Sequence, residues 1–181
     1  MPLDLNQPYT HTIDTLKIKP SARRLLVSIA DQTLELLEND ASVRAYRVST
    51  SLKPPSNLQD SMGTPSGLHR IAQKIGEGAA LGEVFKGRVS IDSCYEKLSD
   101  EQQRPNLITT RILWLEGLEP GINQGDGRDS FQRYIYIHGT NHEDKIGQPA
   151  SGGCVQLSNR EMAELFDLVQ TGDHVYIEQP A

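Results

Sequence analysis

Apolar and polar residues alternate in three short runs soon after the chain begins. Leu25, Val27 and Ile29 recur at every second position, which predicts a strand. Asp31-Gln32 supplies a turn, and Leu34 and Leu36 alternate in a second strand. Asn39-Asp40 marks another turn before a third strand over 43–49. Short strands with tight connections predict a β-meander. Ahead of them, residues 1–22 are polar and carry Pro2, Pro8 and Pro20, which predicts an N-terminal arm, packed on the domain or partly disordered. Residues 50–63, rich in Ser, Pro, Asn and Gly, predict a loop leading to a short strand over 68–71.

Residues 72–127 give a weaker pattern. Gly76, Gly78, Gly82 and Gly87 interrupt its first half, and residues 108–115 predict a strand with Trp114 near its end. Long irregular stretches in small domains are commonly lids or binding loops, and a lid is expected within 72–127. The run FQRYIYI, residues 131–137, is rich in aromatic and β-branched residues and predicts a strong strand ending at His138-Gly139-Thr140. A loop over 141–153 follows. Ser158 and Glu161 have capping-box spacing, with Leu165, Phe166, Leu168 and Val169 as the apolar face of a helix and Gly172 closing it. Residues 173–178 predict a last strand. The fold class expected is mainly β with a few helices, as one domain over 23–181.

Composition narrows the function classes. The 181 residues are 36% hydrophobic and 23% charged, with a net charge of −6 and no Lys/Arg stripe. Nucleic acid and anionic membranes are therefore poor partners. No apolar run is long enough to span a bilayer. The N-terminus lacks a secretory pattern, so a cytoplasmic location is expected, or a periplasmic one if a leader was removed. Two cysteines, Cys94 and Cys154, make no disulfide framework. Cys94 lies in a polar stretch expected to be helix or loop and reads as incidental.

Cys154 has a different setting. It follows Ser151-Gly152-Gly153. Consecutive glycines let a backbone approach a ligand closely, and the amides of Gly153 and Cys154 could converge as an oxyanion site. A thiol needs a base, and His138 stands at a strand end 16 residues upstream. The plainer reading is a small buried cysteine and a hydrogen-bonded histidine. A zinc site from His138, His142 and Cys154 is the third option. Its i, i+4 spacing has meaning only on a helix, and Gly139 after a β-run argues against one.

Read in order, Gly63-Thr64-Pro65-Ser66-Gly67, Ile137-His138-Gly139-Thr140 and the run from Ile146 to Val155 (IGQPASGGCV) resemble the L,D-transpeptidase (YkuD-type) family. The Leu157-Ser158-Asn159 helix start and the Gly172–Ile177 strand fit as well. The resemblance covers about residues 23–178. It implies a β-sandwich with a helix after the nucleophile and a lid over the groove. It implies Cys154 as nucleophile, His138 as base, the Gly139 carbonyl orienting the imidazole, and the Gly153 and Cys154 amides at the oxyanion. Ser151, Gly152 and Gln156 would contact substrate, and no metal or organic cofactor is needed. Two positions depart from the family: Gly152 stands where a histidine is usual, and Gln156 where Arg or Asn is usual. Gln keeps amide donors but loses a charge that pairs with a carboxylate. His69 and Arg70 are the alternatives for that task, against a packing role.

The implied substrate is a peptidoglycan stem peptide or soluble muropeptide, opened before its terminal D-Ala through a thioester. Carbapenem-type inhibitors would acylate the same thiol. Water as acceptor makes an L,D-carboxypeptidase of muropeptide recycling, the reading favoured by the expected location. An amine makes a transpeptidase forming 3-3 cross-links. A non-catalytic muropeptide-binding module is the third reading, and the intact Cys154 and His138 argue against it.

Overall fold

The computed structural model describes residues 4–181. Its elements run α1 (Asn6–Leu16), β1 (Arg23–Ser28), β2 (Thr33–Glu38), β3 (Ala41–Arg47), β4 (Gly67–Ile75), β5 (Glu83–Lys86), β6 (Val89–Cys94), α2 (Asp100–Gln103), β7 (Ile108–Gly117), β8 (Tyr136–Gly139), β9 (Val155–Leu157), α3 (Asn159–Leu168) and β10 (His174–Ile177). The chain is mainly β, in one mixed sheet of ten strands.

The meander forms as expected. β1, β2 and β3 pair antiparallel. Asn39 and Asp40 both take positive φ, 49° and 69°, which suits a two-residue hairpin turn. β10 then pairs parallel with β1 and antiparallel with β4, and β4 pairs with β7. Ile112 and Trp114 of β7 are flanked by both β4 and β8, while Thr109 is flanked by β5 and β8. β4 and β5 therefore share one edge of β7, and β8 takes the other. β9 continues from β8 in parallel. Ser49, just past β3, exchanges two 2.9 Å backbone hydrogen bonds with Gln156 of β9. The sandwich is thus a single sheet curled over its core.

That core holds Leu25, Val27, Leu34, Leu36, Leu113, Leu115, Ile137, Val155, Val175 and Ile177, with Met162, Leu165 and Phe166 of α3 packed among them. Each fully buried aliphatic side chain contributes roughly 1.5–3 kcal/mol. The outer face of β1 and β10 is covered by α1. Residues 6–16 of the expected arm are helical, and Leu5, Tyr9 and Ile13 pack on Leu26, Leu37, Leu68 and Tyr176. Their i, i+4 spacing is the signal the prolines obscured. Pro8 sits in the first turn, where its missing N–H costs nothing. Pro2 lies outside the described residues.

Three further expectations change. Residues 131–134 form a turn, and only Tyr136–Gly139 is strand. The Asp129 carboxylate accepts from the Gln132 N–H, its carbonyl accepts from Arg133 N–H, and Phe131 stacks on Trp114 at 4.0 Å. These local bonds and that stack hold the run in a turn despite its β-propensity. Cys94 ends strand β6 and is not in a helix or loop. α3 stops at Leu168, four residues before Gly172, because Lys74 Nζ donates to the Phe166 and Val169 carbonyls at 2.6 and 2.7 Å. Leu168 itself is exposed.

Candidate active site

The parallel pairing of β8 and β9 sets Ile137 opposite Val155, His138 opposite Gln156 and Gly139 opposite Leu157. Side chains alternate across a strand. Ile137 and Val155 point into the core, so Tyr136, His138, Cys154 and Gln156 share the other face. The same four residues line one cavity of about 540 Å³. Chain alternation alone thus brings the sequence-predicted cysteine and histidine together as diagonal neighbours across two bonded strands.

His138 is 3% exposed, and its Nδ1 lies 2.5 Å from the Gly139 carbonyl. A carbonyl only accepts, so Nδ1 carries the proton and Nε2 keeps its lone pair. Burial lowers the imidazole pKa to about 4, against a partial rise from the Gly139 bond. The ring is neutral over the physiological range. Gly139 is fixed by crowding: a Cβ there would stand 2.7 Å from Asn159 Oδ1 and 2.8 Å from the Thr109 carbonyl. Asn159, at the start of α3, accepts from Thr110 Oγ1 at 2.6 Å and donates to the Thr140 carbonyl and the Glu143 carboxylate. This buried network holds the backbone that orients the histidine. Beside it the β7–β8 register shifts, and Thr110 takes a φ of 71°, a bulge next to the site.

The Cys154 sulfur accepts from the Tyr136 N–H at 3.3 Å. The residue is half-buried and keeps some accessible surface on the cavity side. Burial pushes the thiol up to about 11, opposed by the Tyr136 N–H and the Arg133 charge. Arg133 is itself tied to the 56–63 loop through the Ser56 and Gly63 carbonyls and the Ser61 hydroxyl. The resting pair is therefore a neutral thiol and a neutral imidazole.

Other expected site residues divide. Gly152 and Gln156 line the cavity. Gln156 is 2% exposed, and its Oε1 has no hydrogen-bond partner among the described residues. Ser151, expected to contact substrate, is buried and shapes the loop: its hydroxyl donates to the Cys154 carbonyl at 2.6 Å and accepts from the Gly153 N–H at 3.2 Å. The Gly153 amide, expected at the oxyanion, is thereby engaged within the turn, while its φ of 131° keeps the position to glycine. Where the family usually has histidine, a Cβ on Gly152 would meet the Met62 methyl at 3.3 Å, so Met62 partly fills that space. His69 and Arg70 do not face the cavity. His69 is wholly buried between the Gly67 carbonyl and Ser130 Oγ, and Arg70 pairs with Glu116 at 2.7 Å. His142 Nε2 lies against the Arg104 and Pro105 carbonyls, in a loop rather than on a helix shared with His138.

Sequence reading missed Arg88, Asn106, Tyr134 and Tyr136 in the cavity wall. Tyr136 was legible, since it precedes His138 by two in the same strand. Arg88 was not, because it arrives from the tip of the β5–β6 hairpin.

The L,D-transpeptidase catalytic domain (YkuD) matches residues 22–177. "Putative L,D-transpeptidase YqjB" of Bacillus subtilis is 36% identical over 52 residues, 29% of this chain and 30% of that protein. The L,D-transpeptidase (residues 123–326) from Xylanimonas cellulosilytica superposes with a TM-score of 0.56 at 16% identity, over 88% of this chain and 62% of that one. L,D-transpeptidase 3 from Mycobacterium tuberculosis, in complex with a faropenem-derived adduct, gives 0.51 at 16% identity, over 87% and 60%. At such identities the two structures establish the fold alone, and each match spans less than two thirds of the relative's length. With the YkuD domain matched over most of its residues, the chain belongs to the L,D-transpeptidase family.

Proposed function

We propose that this protein is a cysteine acyl-enzyme that opens the bond before the terminal D-Ala of peptidoglycan stem tetrapeptides. The observation that carries the reading is the β8–β9 pairing, which presents Cys154 and a Gly139-oriented His138 to one cavity. The Cys154 sulfur attacks the carbonyl of the L-centre while His138 Nε2 takes the thiol proton. The Cys154 N–H stabilises the oxyanion, and the Gly153 N–H joins it on leaving the Ser151 hydroxyl. Collapse breaks the C–N bond, His138 returns the proton to the departing D-Ala amine, and a thioester remains. The β5–β6 hairpin, whose tip residues Gly87 and Arg88 line the cavity, acts as the lid.

Water as the acceptor completes an L,D-carboxypeptidase, with a cytoplasmic role on soluble muropeptides. Hydrolysis needs no second peptide groove, only access of water to the thioester in the cavity that Cys154 lines. The name of the family supports the second reading, an amine acceptor and 3-3 cross-linking in the periplasm. Incubation with a soluble stem tetrapeptide and a competing D-amino acid, read by mass spectrometry, separates them. Tripeptide alone means water. A tetrapeptide carrying the added residue means an amine. Release of no D-Ala defeats both.

A further inference from the structure

The β5–β6 hairpin turns through Gly87 and Arg88, with φ of 53° and 69°, and puts the Arg88 guanidinium at the cavity rim. That group is placed by aromatic rings. Its central carbon lies 4.5 Å from the Trp114 ring centroid and 5.1 Å from that of Tyr134. Arg88 NH1 donates to the Tyr136 hydroxyl at 3.1 Å. Tyr136 also gives its main-chain N–H to the Cys154 sulfur, so the cation stands one tyrosine side chain away from the reacting atom. Among the described residues no carboxylate pairs with Arg88. Arg133, a second cation close to Cys154, has both terminal nitrogens bonded to the 56–63 loop. Arg88 instead keeps most of its planar fork of donors for a ligand, the geometry suited to a carboxylate.

We infer that Arg88 is a specificity-determining residue that binds a carboxylate of the peptide donor. This rests on the reading of Cys154 chemistry given above. Two carboxylates fit: the terminal one of the departing D-residue, and a side-chain one on the diamino acid at the third position. The shared chemistry is a peptide carboxylate one residue or one side chain from the scissile carbonyl.

The test measures binding in the Cys154→Ala protein, with and without Arg88→Gln, so that it does not depend on turnover. Three peptides are compared: a stem tetrapeptide with diaminopimelate and a free C-terminus, its C-terminal carboxamide, and its lysine counterpart. With Arg88 present, removing the recognised carboxylate is expected to weaken binding about 10- to 100-fold. In Arg88→Gln that difference should collapse. Collapse for the carboxamide assigns the terminal carboxylate, and collapse for lysine assigns the side-chain one. Arg88→Lys should restore part of the discrimination, since charge returns without the planar fork. If Arg88→Gln changes all three affinities by one factor, or none of them, Arg88 only packs on Trp114 and the inference fails. D-Ala release by the wild-type protein is measured separately, and its absence would defeat the Cys154 reading while leaving the binding result standing.

Discussion

The main-chain N–H of Tyr136 points at the sulfur of Cys154 from 3.3 Å, across the gap between β8 and the loop entering β9. The contact extends the parallel ladder by one residue and replaces a carbonyl acceptor with a thiol. Removing the sulfur should therefore disturb function far more than fold. Cys154→Ala is expected to lose all D-Ala release while its urea midpoint changes little. In the wild type, a carbapenem should add covalently to the same residue, and intact-mass measurement should find no adduct on Cys154→Ala. Turnover by that variant would defeat the proposed chemistry.

The thiol pushed up to about 11 makes a second prediction. A preformed thiolate would alkylate at a rate that levels off near neutral pH. A buried neutral thiol should instead react with iodoacetamide at a rate still rising well above pH 8. Peptide mapping separates Cys154 from Cys94. A plateau below pH 7 would mean a thiolate–imidazolium pair in the resting protein.

Buried histidines predict how stability follows pH. His69 and His138 are both lowered from 6.5 to about 4 by burial. Between those values the unfolded chain binds protons that the native protein refuses, so stability rises with pH through this window and is lost as pH falls from about 6.5 to about 4. Each histidine contributes at most on the order of 3 kcal/mol to that slope. Urea midpoints at a series of pH values should fall across this range, and His69→Gln should flatten the slope whatever it does to the midpoint at pH 7. The same lowering at His138 should place the acid limb of kcat/KM well below the usual histidine value.

Gly139→Ala tests the orienting carbonyl. Its Cβ would press on Asn159 Oδ1 and the Thr109 backbone. The expected cost is about 1–3 kcal/mol of stability, with a larger fall in kcat than in KM as the His138 ring is turned. Equal activity in a folded Gly139→Ala protein would show that the imidazole needs no such support.

Much of this was legible in the sequence because it depends on period. Alternation at Leu25, Val27, Leu34 and Leu36 marks strands whose side chains do enter the core. The pairing of His138 with Cys154 follows from parity once β8 and β9 are neighbours. What stayed hidden depends on particular partners that no period marks. The turn over 131–134 is held by Asp129 and Trp114, and the early end of α3 by Lys74. Ser151 looked free for substrate because its two partners are main-chain atoms of its own turn. Arg88 reaches the cavity from a hairpin far along the chain, a placement with no local signal.

The ladder between β8 and β9 has a consequence for tolerance to change. The reacting pair stands on a diagonal between two bonded strands, and the register of those strands sets which side chains meet. The exposed Glu143–Lys145 turn between those strands is anchored as well, because the Glu143 carboxylate accepts from the Asn159 main-chain and side-chain N–H groups. A slip of one residue in the ladder cannot be absorbed, because it would turn Cys154 inward and bring Val155 to the cavity. The molecule is thus intolerant of a single step in its shortest strand.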